Sequence, residues 1–293
     1  MRPTPYRHQR TAEHLIRSHY VPEAFRLKVF LPVSRVDGSE RFPVLYVTDS
    51  DDLFDGLAAL AHVLQSHGET PRFIMVGIGY EDAHAAAVLR MRDFFTHGIR
   101  AHFQSELNKL LDSPLVSDIH DRESINRTDA HDFLQFVREE LMPFITAHYP
   151  TLAGDNSYSG YSAGGGFGLY ALFAKPDTFK RYILGSPTTS YNGHHFGIEL
   201  AQAFIKSGQP MRAKVFMSVG ELEEFKRGFG QLDLVSGYCL LGKFLKSAEI
   251  PGLDLTMRVF PGETHATAWT LAFAHGLKTL FGPVDRVPFW PEF

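Results

Sequence analysis

Apolar and polar positions change rhythm repeatedly along the chain, and the changes mark out its elements. Residues 25–32 alternate apolar and polar side chains and predict a strand. Residues 43–48 and 72–79 are continuous apolar runs, the pattern of strands buried on both faces. Residues 53–65 predict a helix. So do residues 129–149, where Phe133, Phe136, Val137, Leu141, Phe144 and Ile145 fall on one stripe. A short strand over residues 157–161 runs into glycine-rich sequence and a helix that continues through Phe173. Three further strands, over 181–185, 213–219 and 253–260, are separated and followed by helical segments. Such strands alternating with helices predict the α/β class, a mostly parallel central sheet with helices on both faces. The strands that follow one another in the N-terminal third allow an antiparallel start.

Residues 96–128 break this rhythm. They are polar, weakly periodic and lie between a strand and a helix. Loops of that length inside compact domains are commonly lids or binding loops, so an insertion over the site is expected there, close to Phe94, Phe95 and Phe103. The 293 residues are otherwise expected to form a single domain, without internal repeats. Hydrophobic residues make up 44% and charged residues 21%, which excludes a disordered or collagen-like chain. The net charge of −4 lacks the basic surplus that marks nucleic-acid or polybasic membrane binding. No stretch approaches the apolar length needed to span a bilayer. Residues 1–8 are basic but lead into no apolar run of the kind a secretory signal needs. A cytoplasmic location is therefore expected if Met1 is the natural start, and the sequon Asn126-Arg127-Thr128 is then a chance match. The single cysteine, Cys239, excludes both an intramolecular disulfide and a cysteine cluster for zinc or iron–sulfur.

The candidate chemistry begins at Gly160-Tyr161-Ser162-Ala163-Gly164, which fits G-x-S-x-G between a predicted strand and a predicted helix. In that setting the turn is tight and strained, needs small neighbours, and projects the serine hydroxyl from the end of the sheet. The N-terminus of the following helix favours negative charge, and the Ala163 amide is a candidate oxyanion donor. A phosphate-binding glycine turn fits less well. Gly166-x-Gly168-x-x-Ala171 lies inside the predicted helix, and no G-x-x-x-x-G-K-[ST] sequence occurs.

A serine at its ordinary pKa needs a base. With the chain order Ser, acid, His, that base is expected after the last strand, where Phe260-Pro261-Gly262-Glu263-Thr264-His265 supplies His265. His275 falls within the terminal helix, and His194 and His195 come too early. The acid is expected after strand 213–219, where Glu221, Glu223 and Glu224 are all candidates. A second oxyanion amide is expected from the loop Asp49-Ser50-Asp51-Asp52. Only backbone N–H groups help there, so its carboxylates must point away or bind a cationic or hydroxyl-rich partner. Asp and Ser in this loop also suit an N-cap for the next helix.

Taken together, these residues resemble the putative-esterase family of α/β-hydrolases, which contains siderophore, feruloyl and acetyl-xylan esterases, S-formylglutathione hydrolase and the mycolyltransferases. The matching pieces are Phe42-Pro43-Val44-Leu45-Tyr46-Val47-Thr48-Asp49, Val76-Gly77-Ile78-Gly79-Tyr80, Arg90-Met91-Arg92-Asp93-Phe94, Gly160-Tyr161-Ser162-Ala163-Gly164-Gly165 and Pro261-Gly262-Glu263-Thr264-His265. The resemblance spans about residues 25–282 by motif placement. The Gly-Tyr strand end followed by Arg-x-Arg-Asp-Phe is most similar to the siderophore trilactone esterases.

The resemblance implies an α/β-hydrolase fold and acyl-enzyme chemistry on a small-molecule carboxylic ester, with no metal or organic cofactor. It selects Glu223, three residues after Gly220, as the acid, with Glu221 as runner-up and a Ser–His dyad as a variant. The family's oxyanion loop reads Asp-Gly-x. Here Ser50 stands at the glycine, and Asp51 is implied to supply the second amide. His97 stands where the family usually has proline, so the substrate loop departs where specificity is set. Arg90, Arg92, Tyr161 and Trp269 are the expected substrate-binding residues. For the two arginines the competing expectation is an ion pair with Asp93 or another carboxylate, and for Trp269 it is the core. The rival functions on this framework are an acyltransferase, a thioesterase or peptidase on the same residues, and a non-catalytic binding protein. The presence of serine, acid and histidine in the required order argues against the last.

Overall fold

Eight strands form one sheet: β1 (Thr11–Arg17), β2 (Ala24–Phe30), β3 (Phe42–Val47), β4 (Ile74–Tyr80), β5 (Thr151–Tyr161), β6 (Arg181–Gly185), β7 (Ala213–Gly220) and β8 (Leu253–Phe260). Their order is β1-β2-β4-β3-β5-β6-β7-β8. The computed structural model describes residues 10–33, 39–112, 124–224 and 230–282. β1 pairs antiparallel with β2 and β2 antiparallel with β4. From β4 to β8 every pairing is parallel. The antiparallel start is thus one strand longer than the apolar pattern marks. β1 lies at the sheet edge and has no fully buried residue, so it carries neither a continuous apolar run nor a strong alternation.

The helices are α1 (Ser50–Ser66), α2 (Ala86–Asp93), α3 (His97–His102), α4 (Gln104–Leu111), α5 (Ala130–Phe136), α6 (Met142–His148), α7 (Ala163–Ala174), α8 (Phe196–Ser207), α9 (Leu234–Ala248) and α10 (Ala268–Phe281). The alternation within β3 shows how they layer. Leu45 and Val47 join the core under α1 and α10, with Phe54, Leu57, Phe273 and Leu277. Val44 and Tyr46 join the core on the other face, with Val88, Phe133, Phe167 and Leu241 from α2, α5, α7 and α9. Full burial of side chains this size contributes about 1.5–3 kcal/mol each. No helix among the described residues is long and apolar enough to cross a membrane.

Two stretches differ from the expected pattern. The helix expected over 129–149 is divided by a π-turn at Val137–Leu141. Pro143 lies at the start of α6. It has no amide to donate and its ring crowds the carbonyl four residues back, which a widened turn accommodates. Residues 96–128 contain α3, α4 and a 3-10 turn at Ser124–Asn126, while residues 113–123 lie outside the described residues. His97 ties this segment together. Its amide and Nδ1 lie 3.0 and 2.8 Å from Asp129 Oδ2, and its Nε2 lies 2.9 Å from the Asn126 carbonyl.

Candidate active site

The carboxyl ends of the parallel strands carry every group of interest, as expected of an open α/β sheet. β5 ends at Tyr161, and Ser162 follows with φ 57° and ψ −119° before α7 begins. The Ser162 amide donates to the Gly185 carbonyl at 2.9 Å, and its own carbonyl accepts from the amides of Gly166 and Thr188, both at 3.0 Å. The flanking glycines are fixed by close approach. A Cβ on Gly160 would lie 2.3 Å from the Gly164 carbonyl oxygen, and one on Gly164 would lie 2.4 Å from Thr48 Oγ1. Asp49 and Ser186, after the neighbouring strands β3 and β6, also have positive φ, 57° and 42°. Each such non-glycine residue stores roughly 1–3 kcal/mol, strain that clusters where a chain must aim side chains at one spot.

His265 sits in the turn after β8. Its Nδ1 lies 2.6 Å from Glu223 Oε2, and Glu223 is fully buried in the turn after β7. The other carboxylate oxygen accepts from the Gly220 amide and from Ser186 Oγ, both at 2.7 Å. A buried carboxylate is stable only when its oxygens are matched, and here three donors do so. The Tyr161 hydroxyl donates to the His265 carbonyl at 2.8 Å, and its ring lies 4.8 Å from the imidazole. Burial, reinforced by the Glu223 charge, pushes the Tyr161 phenol well up, so it stays a donor. The neighbouring glutamates have different partners. Glu221 accepts from the Gly262 amide at 2.8 Å and so braces the turn before His265. Glu224 accepts from the amides of Val235 and Ser236 at the start of α9. His275 lies apart, 2.6 Å from Arg258 Nη1.

The acidic loop after β3 resolves into distinct roles. Asp49 precedes α1 but makes no side-chain cap. Instead its carboxylate takes two hydrogen bonds from Arg90, Nε at 2.8 Å and Nη2 at 2.9 Å. The Asp51 carboxylate accepts from the Tyr80 amide at 3.0 Å, and burial pushes its pKa up. The amides of Asp51 and Ala163 each open a helix and take no backbone acceptor among the described residues.

Arg92 requires a correction. Expected as a substrate contact, it is fully buried and pairs with Glu23 and with Asp93, the latter at 2.6 Å. Its guanidinium serves the core beneath α2. Arg92→Ala would leave the fully buried Asp93 with the Tyr80 hydroxyl alone. We expect a loss of about 3–5 kcal/mol, read as a fall in the urea midpoint.

Two cavities meet at Ser162. One of about 710 Å³ is lined by Asp51, Arg90, Tyr161, Ser162, His265 and Trp269 among others. Trp269 also packs on α1, where a Cβ at Gly56 would lie 3.0 Å from its ring. The second, of about 220 Å³, lies on the Ala163 side and is walled by Phe95, Phe103, Leu110 and Tyr191. The structure therefore brings together Ser162, His265, Glu223, Ala163, Asp51, Arg90, Tyr161 and Trp269, and leaves Arg92 aside. Sequence reasoning missed Ser186, Asp49 as the partner of Arg90, and Tyr191. Ser186 had one usable signal, its place directly after a parallel strand.

This sheet, with its strained serine at the β5–α7 turn, has the α/β-hydrolase fold. The chain belongs to the family described as Putative esterase, whose model matches residues 120–280, more than half of its length. It is 30% identical over 193 residues to the ferri-bacillibactin esterase BesA of Bacillus subtilis, covering 62% of this chain and 61% of that protein. It is 37% identical over 78 residues to a siderophore enterobactin esterase of Emericella nidulans, covering 26% of this chain and 25% of that one. The chain thus matches less than two thirds of the length of these curated relatives. The fold is shared with the BES protein from Bacillus cereus at a TM-score of 0.74 and 22% identity, covering 97% of this chain and 100% of that one. It is also shared with the siderophore hydrolase EstB from Aspergillus nidulans, at 0.75 and 20%, covering 98% and 100%.

Proposed function

We propose that the protein is a serine esterase that hydrolyses a carboxylic ester through Ser162, His265 and Glu223. One observation carries this reading. Buried Glu223 holds His265 Nδ1 at 2.6 Å, and His265 lines the same cavity as Ser162 at its strained turn. That arrangement fixes the imidazole tautomer, leaving Nε2 to accept a proton.

In the proposed cycle His265 takes the Ser162 proton as Oγ attacks the ester carbonyl. The amides of Ala163 and Asp51 receive the oxyanion. His265 then protonates the leaving alcohol, and water activated by the same imidazole releases the acid. Glu223 stabilises the imidazolium. Ser186 and Gly220 hold Glu223, and Tyr161 holds the His265 turn. The whole chain acts as one domain, with Phe103 and Leu110 of the 96–112 stretch walling the substrate side. The named relatives act on siderophore esters, and a small ester of that type is the substrate class we propose here.

A fluorophosphonate probe tests the reading, because it reacts only with an activated serine. We expect one covalent adduct, mapped to Ser162 by peptide mass spectrometry, absent in Ser162→Ala and much slower in His265→Ala. Labelling elsewhere, or labelling indifferent to His265, would overturn the assignment.

A further inference from the structure

The sheet ends at β8, and that margin lacks the usual protection of an edge. Natural edge strands are blunted by proline, lysine, bulges or an overlying element. β8 contains no proline or lysine, and it keeps register with β7 from Leu253 to Phe260 without a bulge. Asp254, Thr256 and Arg258 are exposed on one face. On the other, Leu253, Leu255 and Met257 are half-buried and Val259 is 41% exposed. The Ala213 amide donates to the Gly252 carbonyl at 3.0 Å. The even-numbered residues therefore turn their backbone groups to β7, and those of Leu255 and Met257 face outward.

The charges on this strand have no opposite charge of their own. Asp254 shares a cavity with Lys180, Arg212 and Lys214, and Lys214 is its neighbour across the ladder, yet it makes no ion pair among the described residues. Arg258 lies 2.6 Å from His275 and meets no carboxylate among the described residues. Asp254 and Arg258 cannot reach one another, because four residues of strand separate them by about 13 Å. A second copy brings them together. A two-fold axis normal to the sheet pairs only side chains on the same face, and the residue at the axis faces itself. With Thr256 at the axis, Asp254 stands opposite the partner's Arg258, and Arg258 opposite the partner's Asp254. On the other face Leu253 meets the partner's Val259. Leu255 meets the partner's Met257, and their outward backbone groups exchange hydrogen bonds. An axis one residue to either side sets Asp254 opposite Thr256 or Phe260, and no charges meet.

We propose that the protein associates with a second copy of itself through β8, as a two-fold dimer with Thr256 at the axis and the two sheets joined into one. The antiparallel pairing sets the two Ser162 sites at opposite ends of the joined sheet, so neither covers the other. It also gives the strand that leads to His265 a ladder on its open side. Nothing in the pairing depends on the reaction at Ser162.

Sedimentation velocity over roughly 1–100 µM protein tests it. A contact built on one ladder is small, and a dissociation constant of roughly micromolar order is expected. Asp254→Arg and Arg258→Asp each set like charges opposite one another, and each is expected to weaken the dimer by roughly tenfold or more. Mixing the two variants restores opposite charges, since one chain then carries two arginines and the other two acids. A heterodimer about as tight as the wild-type dimer is expected, and that recovery would show that both variants are folded and that the register is the one described. A wild type that stays monomeric throughout this range overturns the proposal. So does a dimer indifferent to both reversals, or a mixture that associates no better than its components.

Discussion

Ser162→Ala is expected to lower kcat for ester hydrolysis by roughly ten-thousand- to million-fold, while KM moves little. The hydroxyl is the only atom group lost. The cavity, the oxyanion amides and the His265–Glu223 pair all remain, so substrate is still held. A small rate above the uncatalysed one persists for the same reason. A companion variant separates chemistry from fold. Ser162 adopts φ 57° and ψ −119°, a region in which glycine is at ease and a Cβ is not. Ser162→Gly is therefore expected to be as inactive as the alanine variant and yet more stable than the wild type. The strain released, less the entropy glycine loses on folding, leaves about 1 kcal/mol, or roughly 2 °C in Tm for a chain of this size. Steady-state kinetics and a thermal melt on the two variants read both effects. An active Ser162→Ala protein would end the nucleophile assignment.

Glu223→Gln is expected to cost roughly a thousand- to ten-thousand-fold in kcat with the fold retained. The carboxylate now accepts from His265 Nδ1, the Gly220 amide and Ser186 Oγ. An amide of the same shape has one oxygen to offer to these donors. If that oxygen keeps Gly220 and Ser186, the NH2 faces Nδ1 and forces the other imidazole tautomer, with the proton on the nitrogen that must act as base. Glu223→Ala is expected to be worse for stability, because it leaves the buried Gly220 amide unmatched, at about 1–3 kcal/mol, while Ser186 Oγ still has the Tyr161 hydroxyl as acceptor. Glu221→Gln serves as the contrast. Its carboxylate only braces the Gly262 amide, so the rate is expected to fall by less than roughly tenfold, the scale of losing one hydrogen bond. Equal losses at Glu221 and Glu223 would sink the assignment of the acid.

Much of this was legible in the chain because the controlling physics is local or periodic. The apolar patterns at 181–185 and 253–260 have the same bounds as β6 and β8. Apolar runs between turn residues leave little choice there. The turn around Ser162 was legible because only glycine tolerates the contacts at 160 and 164. What was not legible depends on partners distant in sequence. Nothing local marks Arg92 as buried and Arg90 as lining the cavity. Two residues apart on α2, they are separated by which acids the fold brings to them, Glu23 and Asp93 for one and Asp49 for the other. In the loop after β3 Ser50 stands where the resembling family usually has glycine. The structure places the left-handed residue at Asp49 and starts α1 at Ser50, so no glycine is required there. The choice among three neighbouring glutamates likewise rests on burial, which three residues of sequence do not encode.

The proposed nucleophile and base hang from strands of unequal standing. Ser162 follows β5, which is held by β3 on one side and β6 on the other. His265 follows β8, which among the described residues has β7 as its sole neighbour and alternates between half-buried and exposed positions along most of its length. An outermost strand opens by breaking one ladder, whereas an interior strand must break two. The anchor at His265 is correspondingly made of discrete ties, Glu223, Tyr161 and the Glu221 brace, that stitch the margin of the sheet back to its interior. Fraying of that margin withdraws the base while leaving the serine in place, so working life at raised temperature is set by how long a peripheral seam stays closed rather than by the endurance of the core.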